Sequence, residues 1–302
     1  MADIFPVEYF DNIRQHPENY LLLQKIPLTI EGVDSRFPIR LQEEEAGERV
    51  ATVVFLDTET TGLNHDLDKI IELGLVKVKI SLDRKIILTV EKFYNALEDP
   101  KCHIPERITE ITHITDDMVA GQSLDDDAVA SFLAGRPLIV AHNAGFDRPF
   151  FDKRFPSLSN LSWACSLKEI PWEKFGYNCS KLEFLNLKLG WFYEAHRAYV
   201  DCLALLWLLY IKPEAFGYLL DNAQKKTYKI IIRGNTYSIS SDLKRLGYRF
   251  GQFGKEKYWY SFELSEQKAQ ERIDVLKQTL KYGKVDFTEE IKELSAKERF
   301  KL

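Results

Sequence analysis

A run of apolar residues that ends directly in two carboxylates constrains the fold of this chain more than any other feature. Residues 53–56 (VVFL) form a continuous apolar run, which is typical of a strand covered on both faces. Asp57 and Glu59 follow at alternate positions, so a strand places both carboxylates on one face, a few ångströms apart. Like charges that close together are costly unless a cation lies between them. The segment therefore predicts a buried strand that ends at a cation site.

The residues that follow favour a substrate site over a strand end with exposed acids. Thr60, Thr61, Gly62 and Leu63 continue the segment. A turn at the glycine would bring backbone N–H groups near the carboxylates, where they can contact the terminal sugar of a substrate. Leu63 would then offer an apolar surface to a base.

A second cluster follows the apolar run 138–141. It reads His142-Asn143-Ala144-Gly145-Phe146-Asp147. Asn143 is a good N-cap, so we expect Asp147 in the first turns of a helix, whose positive end tolerates a carboxylate. This segment alone is explained equally well by helix capping and by a functional role.

A third cluster contains His196 and Asp201, five residues apart. Five helical steps turn about 500°, which would separate the two side chains around the helix axis. Both can reach one site only if His196 lies on a loop and Asp201 lies in the following helix. A loop histidine suits a general base that titrates near neutral pH, although without the other clusters an exposed histidine of no function would be the simpler interpretation.

Together the three segments resemble the motifs of the DEDDh (DnaQ-like) 3′–5′ exonucleases, which have a ribonuclease H-like fold and include the proofreading epsilon-type enzymes. D-x-E-T-T-G, H-N-x-x-F-D and H-x-A-x-x-D all occur, and the resemblance covers about residues 51–211. It implies a general base, His196, and a site for two divalent metal ions, Mg²⁺ or Mn²⁺. The implied metal ligands are Asp57, Glu59, Asp147 and Asp201. The implied substrate contacts are Thr60, Thr61, Gly62, Leu63, His142, Asn143 and Phe146.

One position departs from the family pattern. His113 precedes Ile114 where such proteins often have a glycine. The departure concerns a local turn and a substrate contact, and it leaves the predicted metal site intact.

The order of the patterns predicts an α/β fold. Strand patterns at 70–80 and 85–96 follow the first strand, and helical patterns then alternate with the run 138–141. This order indicates a ribonuclease H-like mixed sheet with helices on both sides. We predict an N-terminal extension (1–50), an exonuclease domain (51–212) and a small α+β accessory domain with a tail (213–302). In the accessory domain we expect one hairpin around Gly234-Asn235, a second within 247–264 and a helix over 264–280.

The net charge of −5 is unevenly distributed. Residues 221–260 hold 9 basic and 3 acidic side chains, interleaved with aromatic ones. Cations for phosphates and rings for bases are what single-strand binding requires, although the same aromatic residues could form the core of a small domain. The basic residues are Lys225, Lys226, Lys229, Arg233, Lys244, Arg245, Arg249, Lys255 and Lys257. The aromatic residues are Tyr228, Tyr237, Tyr248, Phe250, Phe253, Tyr258, Trp259 and Tyr260.

The sequence thus predicts a metal-dependent 3′–5′ exonuclease that releases nucleoside 5′-monophosphates from single-stranded or frayed DNA ends. A 3′–5′ exoribonuclease of the same family is the alternative, because the metal site does not select the sugar. A second alternative is an inactive module that binds nucleic acid, which the complete carboxylate set disfavours. No signal peptide or membrane span is evident, so we expect a cytoplasmic protein with nucleic acid as its partner. No polymerase partner is evident, and the oligomeric state is left open.

Overall fold

The computed structural model describes residues 9–30, 32, 36–253, 256–263, 265–280 and 286–301. The strands are β1 (Gln24–Lys25), β2 (Ile39–Arg40), β3 (Val50–Thr60), β4 (Ile70–Ser81), β5 (Ile86–Leu97), β6 (Leu138–Ala141), β7 (Trp163–Cys165), β8 (Trp191–Phe192), β9 (Thr227–Gly234), β10 (Arg249–Phe253), β11 (Glu256–Glu263) and β12 (Phe287–Leu294). The helices are α1 (Phe10–Gln15), α2 (Glu106–Thr112), α3 (Asp116–Val119), α4 (Asp126–Phe132), α5 (Ala144–Arg154), α6 (Ser166–Glu169), α7 (Leu182–Lys188), α8 (Ala198–Ile211), α9 (Pro213–Gln224), α10 (Ser240–Arg245) and α11 (Glu266–Thr279).

Six strands form the main sheet, in the order β2-β5-β4-β3-β6-β7. β2, β5, β4 and β3 pair antiparallel, whereas β6 and β7 lie parallel to β3. This is the mixed, ribonuclease H-like sheet that the sequence predicts, and its central strand carries the first carboxylate pair. The predicted strands and helices between residues 51 and 211 are confirmed.

Side chains alternate across β3 into two cores, one on each face of the sheet. Val53 and Phe55 pack with the apolar residues of α8 and α9. Val54 and Leu56 pack on the other face, with residues of α4 and α5. Asp57 continues the alternation onto the α8 face, so the pattern of β3 decides which helix its carboxylates meet.

Two segments outside the predicted exonuclease domain belong to the core on the α8 face of the main sheet. Ile26 and Leu28, from the N-terminal extension, are buried in it. Phe216 and Leu219 of α9 are also buried there, because Pro213 ends α8 and begins α9 rather than leaving the core. We therefore propose that the accessory unit begins after Gln224 rather than after residue 212.

No single helix of the described residues is both long and apolar enough to cross a membrane. α8 and α9 together reach the length and composition of a span, but they are bent by 105° at the break between them.

The accessory unit is a four-stranded antiparallel sheet in the order β10-β11-β9-β12. Along the chain, strand and helix follow as β-α-β-β-α-β, a ferredoxin-like arrangement with α10 and α11 on one face. The hairpin of β10 and β11 and the helix α11 are confirmed. The predicted hairpin at Gly234-Asn235 is wrong: the chain turns there but enters α10, because Ile239 and Leu243 are buried one helical turn apart beneath the sheet. Lys255, one of the predicted basic residues, and Leu264, the predicted first residue of the helix over 264–280, lie outside the described residues.

The chain after β12 returns to the main sheet. The backbone N–H of Trp163 donates to Ala296, and the Arg299 guanidinium pairs with the buried Glu169 carboxylate. Arg148, also fully buried, donates to the carbonyl oxygens of Lys297 and Arg299, each at 2.6 Å. Two buried arginines therefore fasten the end of the accessory unit to the exonuclease core.

Candidate active site

The end of β3 places three side chains alternately on its two faces. Asp57 and Glu59 point to the α8 side and are partly buried, whereas the buried Thr58 between them points to the α5 side. The predicted same-face pair of carboxylates is thus present in the structure.

Helix α8 brings a third carboxylate to this pair because β4 has a glycine beneath it. Gly74 lies opposite Asp57 in the strand register. A Cβ atom at Gly74 would lie 2.5 Å from the carbonyl carbon of Ala198 and from the nitrogen of Tyr199, so the first turn of α8 rests directly on the β4 backbone. Oxygen atoms of Asp57, Glu59 and Asp201 then lie within 4.8 Å of one another.

The fourth predicted carboxylate approaches from the other face of the sheet. Asp147, in the first turn of α5, is buried and accepts hydrogen bonds from Thr58, from the backbone N–H at 3.2 Å and from the hydroxyl at 3.0 Å. It does not belong to the cluster of three oxygens. Its bonds to Thr58 fix the start of α5 to the strand that carries Asp57.

Burial raises the pKa of each of the four carboxyl groups that the sequence predicts as metal ligands. It raises the pKa of Glu59 to about 8 and that of Asp147 to about 7, with the charge of Asp201 adding to both. The pKa of Asp57 is raised well above its usual value by burial and by the charge of Asp147. Burial also raises the pKa of Asp201 to about 6, against the opposing effects of His196 and of hydrogen bonds from neighbouring groups. The metal-free protein therefore disfavours four simultaneous negative charges here.

His196 lies on the loop before α8 and is exposed, with Asp201 inside the helix, as the five-residue spacing predicts. Its φ of +66° turns the chain sharply. One oxygen of Asp201 accepts the backbone N–H groups of His196, at 2.8 Å, and of Arg197, at 3.2 Å. The other oxygen accepts the hydroxyl of Tyr193 at 3.2 Å. Asp201 therefore fixes the loop that carries His196.

Sequence reasoning missed an ion pair beside the site. Glu72 lies opposite Glu59 in the register and is completely buried. It accepts hydrogen bonds from the Arg197 guanidinium at 2.7 Å and from the backbone N–H of Ala198 at 3.0 Å. A charged residue inside the apolar strand pattern IIELGLV was the available signal.

The predicted substrate turn after β3 is present and is organised by Asp68. The Asp68 carboxylate accepts the Thr61 hydroxyl at 3.1 Å and the Asn64 backbone N–H at 2.8 Å. The Thr60 hydroxyl donates to the carbonyl oxygen of Gly62 at 2.6 Å. The turn leaves Leu63 exposed over 83% of its surface.

The second cluster differs from its prediction at Asn143. Asn143 precedes α5 but makes no side-chain cap; its φ of +92° turns the chain, and its carbonyl oxygen accepts the N–H of Phe146. Both ring nitrogens of His142 are engaged, with the Ser166 hydroxyl and the Ser180 carbonyl oxygen, each at 2.8 Å. Burial lowers the pKa of His142 to about 4, so its ring is neutral at neutral pH.

His113, which stands where similar proteins often have a glycine, adopts a backbone conformation that is typical of glycine. His113 ends α2 with a φ of +57°, the left-handed conformation that glycine adopts most easily. Ile114 follows it into a small buried cluster. The unusual residue therefore keeps the turn that a glycine would make.

The oxygen cluster fits a divalent cation. Asp57, Glu59 and Asp201 offer carboxylate oxygens, which are the ligands that hard cations such as Mg²⁺ and Mn²⁺ prefer over zinc. A cation among them would offset the burial and the mutual repulsion that raise the pKa values of Asp57 and Glu59.

Comparison with known proteins is consistent with this geometry. A family model for exonucleases of the RNase T type matches residues 54–209. The DNA polymerase III PolC-type of Clostridium perfringens is 36% identical over 184 residues, which cover 59% of this chain and 12% of that protein. The PolC-type protein of Staphylococcus saprophyticus is 40% identical over 122 residues, covering 40% and 8%. Exonuclease X in complex with 5′ overhanging duplex DNA is 25% identical, covers 55% of this chain and 91% of its own, and gives a TM-score of 0.41. The chain thus spans only about a tenth of the length of the polymerase relatives it matches.

Proposed function

The chain belongs to the exonuclease family, and from this premise we propose that it is a metal-dependent 3′–5′ exonuclease that removes nucleoside 5′-monophosphates from DNA. The convergence of Asp57, Glu59 and Asp201 within 4.8 Å is the observation that carries the proposal. The likeness to two proteins named as DNA polymerases supports DNA as the substrate.

The four predicted carboxylates have distinct roles in this proposal. Asp57, Glu59 and Asp201 would hold a divalent cation, and Asp147, anchored to Thr58, would serve a second one. Two such ions, when bound, stabilise the charge on the entering and leaving oxygens of a phosphodiester.

His196 would act as the general base. It would take a proton from the water that attacks the terminal phosphorus, and the bond from phosphorus to the 3′ oxygen of the preceding nucleotide would break. The leaving oxygen takes up a proton and becomes the new 3′-hydroxyl. Loop placement favours this role, because the imidazole is exposed while Asp201 fixes the backbone of its loop.

The turn after β3 would hold the terminal nucleotide. The exposed Leu63 would pack against its base, and the backbone N–H of Gly62 would contact its sugar, whereas that of Thr61 already donates to the carbonyl oxygen of Lys69. Phe146, half-buried at the start of α5 and packed on Phe150, would border the same site. Asn143 is exposed beside it, whereas the engaged ring of His142 would act by fixing this loop.

A ladder assay tests the proposal. The protein, with Mg²⁺ or Mn²⁺, is incubated with 5′-labelled single-stranded DNA, duplex DNA and RNA of one sequence. We expect the label to shift one nucleotide at a time, faster on DNA than on RNA. A substrate with phosphorothioate linkages at the 3′ end should resist, whereas the same linkages at the 5′ end should have no effect.

Two controls make the assay decisive. The Asp57→Asn variant should show no ladder, and EDTA should stop the reaction. Faster cutting of RNA would assign the chain to the ribonuclease alternative, and internal cuts would refute exonuclease action. Complete inactivity with every metal and substrate would favour a binding module.

A further inference from the structure

The face of the accessory sheet opposite α10 and α11 carries a row of aromatic rings. Tyr258, Tyr260 and Phe262 alternate along β11 with the buried Trp259 and Ser261, so the three rings share the face away from the helices. Neighbouring ring centroids are 6.0 and 5.6 Å apart. Phe262 is 43% exposed, and the two tyrosines are half-buried.

The neighbouring strand leaves room for these rings. Gly251 of β10 lies opposite Tyr258. A Cβ atom at Gly251 would lie 2.8 Å from a ring carbon of Tyr258 and 3.1 Å from one of Tyr260. Both tyrosine rings therefore lie over the β10 backbone at Gly251, and a side chain at residue 251 would push them off it.

A lysine lies among the rings. The Nζ of Lys229 is 5.4, 5.1 and 6.0 Å from the ring centroids of Tyr258, Tyr260 and Phe262. Burial, together with the charges of Lys292 and Arg233, lowers the pKa of Lys229. Its ammonium group faces aromatic rings and like charges, with only the charge of Glu290 to oppose them.

The charges on this face favour an anionic ligand. By register, Lys229, Arg233, Arg249 and Lys292 share it with Glu256 and Glu290. Both glutamates are engaged by the Arg233 guanidinium, at 2.6 and 2.5 Å. Among the described residues, Lys229, Arg249 and Lys292 form no ion pair, so the face retains a positive surplus beside its rings.

From these observations we infer that this face, defined by Tyr258, Tyr260, Phe262, Lys229 and Arg249, binds single-stranded nucleic acid, with bases stacked on the rings and phosphates on the cations. Rings and unpaired cations on one open sheet are the two elements that sequence-tolerant single-strand binding uses. An apolar protein partner would offer these three cations no ion-pair partner. The inference rests on the proposed function only for the choice of DNA.

From the position of the accessory sheet we expect it to contact the internal nucleotides of a bound nucleic acid rather than the 3′ end. A cavity at the start of β3 is lined by Thr52 together with Gln224 and Ala296, the residues that flank the accessory sheet in the chain. The carboxylates lie near the other end of β3. Since a strand rises about 3.3 Å per residue, Thr52 and Asp57 are about 17 Å apart. The aromatic face should therefore strengthen the binding of long strands more than that of short ones.

Binding is measured with the full-length Asp57→Asn variant, which keeps the oligonucleotide uncut, and fluorescein-labelled oligo-dT of 5 and 20 nucleotides. Adding Tyr258→Leu and Tyr260→Leu should weaken binding of the 20-mer about tenfold or more, because each stacked base contributes ~1–3 kcal/mol and 1.4 kcal/mol is tenfold. The ratio of the affinity for the 20-mer to the affinity for the 5-mer should also decrease. Tyr237→Leu is the matched control: Tyr237 belongs to the same unit, is 90% exposed and precedes α10, away from the rings.

A second variant guards against misfolding. Arg249 is exposed, so Arg249→Gln should leave the sheet intact while reducing the slope of log affinity against log salt by about 0.7 for each phosphate that the arginine no longer binds. Oligo-U in place of oligo-dT distinguishes RNA from DNA as the preferred strand, and weaker binding of either in the double variant supports the face. Unchanged affinity in the folded double variant, or tighter binding of duplex than of single strand, would overturn the inference. If the aromatic face binds single strands but the protein has no nuclease activity, the proposed function is refuted and the inference about the face remains supported.

Discussion

The completely buried Glu72 and the partly exposed Arg197 form an ion pair directly beside the candidate active site, with Nη2 and Oε1 2.7 Å apart. The Glu72 carboxylate also accepts the backbone N–H of Ala198, so it holds both the start of α8 and the loop of His196 against β4. The charge of Glu72 raises the pKa of Glu59, and the charge of Arg197 lowers it. Glu72 therefore anchors the start of α8, and the guanidinium of Arg197 balances its charge.

Replacing Arg197 with methionine should destabilise the fold strongly. Glu72 would keep a buried charge without its partner, which typically costs ~3–5 kcal/mol. Urea unfolding in EDTA measures the decrease in stability. The Glu72→Gln/Arg197→Met double variant should recover part of it, because no buried charge then remains. A single variant within about 0.5 kcal/mol of wild type would show that the pair does not anchor the loop.

Gly74→Ala should separate α8 from β4. The new methyl group would lie 2.5 Å from backbone atoms of Ala198 and Tyr199, which cannot rotate away. We expect stability to fall by more than about 2 kcal/mol and Mg²⁺ to bind more weakly, because Asp201 moves with its helix. Gly145→Ala is the control: a Cβ there meets nothing within 4 Å, and the position is helical. Equal stability of the two variants would contradict the close approach.

The sequence could predict those parts of the site that depend on local periodicity. Alternation along β3 indicated the shared face of Asp57 and Glu59, and the 100° helical step separated the loop position of His196 from the helical position of Asp201. The Glu72–Arg197 pair could not be predicted, because it depends on the register between β3 and β4. Tyr237–Ser240 alternates like a strand, but packing of Ile239 onto the sheet decides for a helix. Local pattern thus fixes the faces of elements, and tertiary packing decides which faces meet.

The metal-free protein should lose stability as the pH rises from about 5 to about 8. Folding raises the pKa of Glu59 to about 8 and that of Asp147 to about 7, so the folded state binds more protons than the unfolded state in this range. Stability then falls with rising pH. Thermal unfolding in EDTA from pH 5 to 8.5 measures the slope. Glu59→Gln should flatten it, and Mg²⁺ should raise the Tm most at the alkaline end; a slope of opposite sign would contradict the repulsion.

His196→Gln should reduce kcat and leave strand binding largely intact. A positioned base contributes ~10²–10⁴-fold to the rate, whereas the cluster of Asp57, Glu59 and Asp201, the proposed metal ligands, remains in place. Single-turnover cleavage of 5′-labelled DNA, with affinity measured separately in Ca²⁺, distinguishes the two effects. His103→Gln is the matched control, since His103 is exposed and pairs with Asp116. A fall in affinity as large as the fall in rate would argue against the base assignment.

Arg299→Met should destabilise the exonuclease core, although residue 299 lies far beyond the family match. Arg299 pairs with the buried Glu169 carboxylate, which also accepts the backbone N–H of Cys165 at 2.6 Å. Without the guanidinium, Glu169 is a buried charge without a partner, and stability should fall by ~3–5 kcal/mol. Lys301→Met, at an exposed neighbouring position, should change stability by less than about 0.5 kcal/mol. Because Arg148 binds carbonyl oxygens of the same segment, deleting residues 295–302 should cost more than Arg299→Met alone. Unfolding of the deletion variant at the wild-type urea midpoint would show that the exonuclease core does not depend on the returning segment.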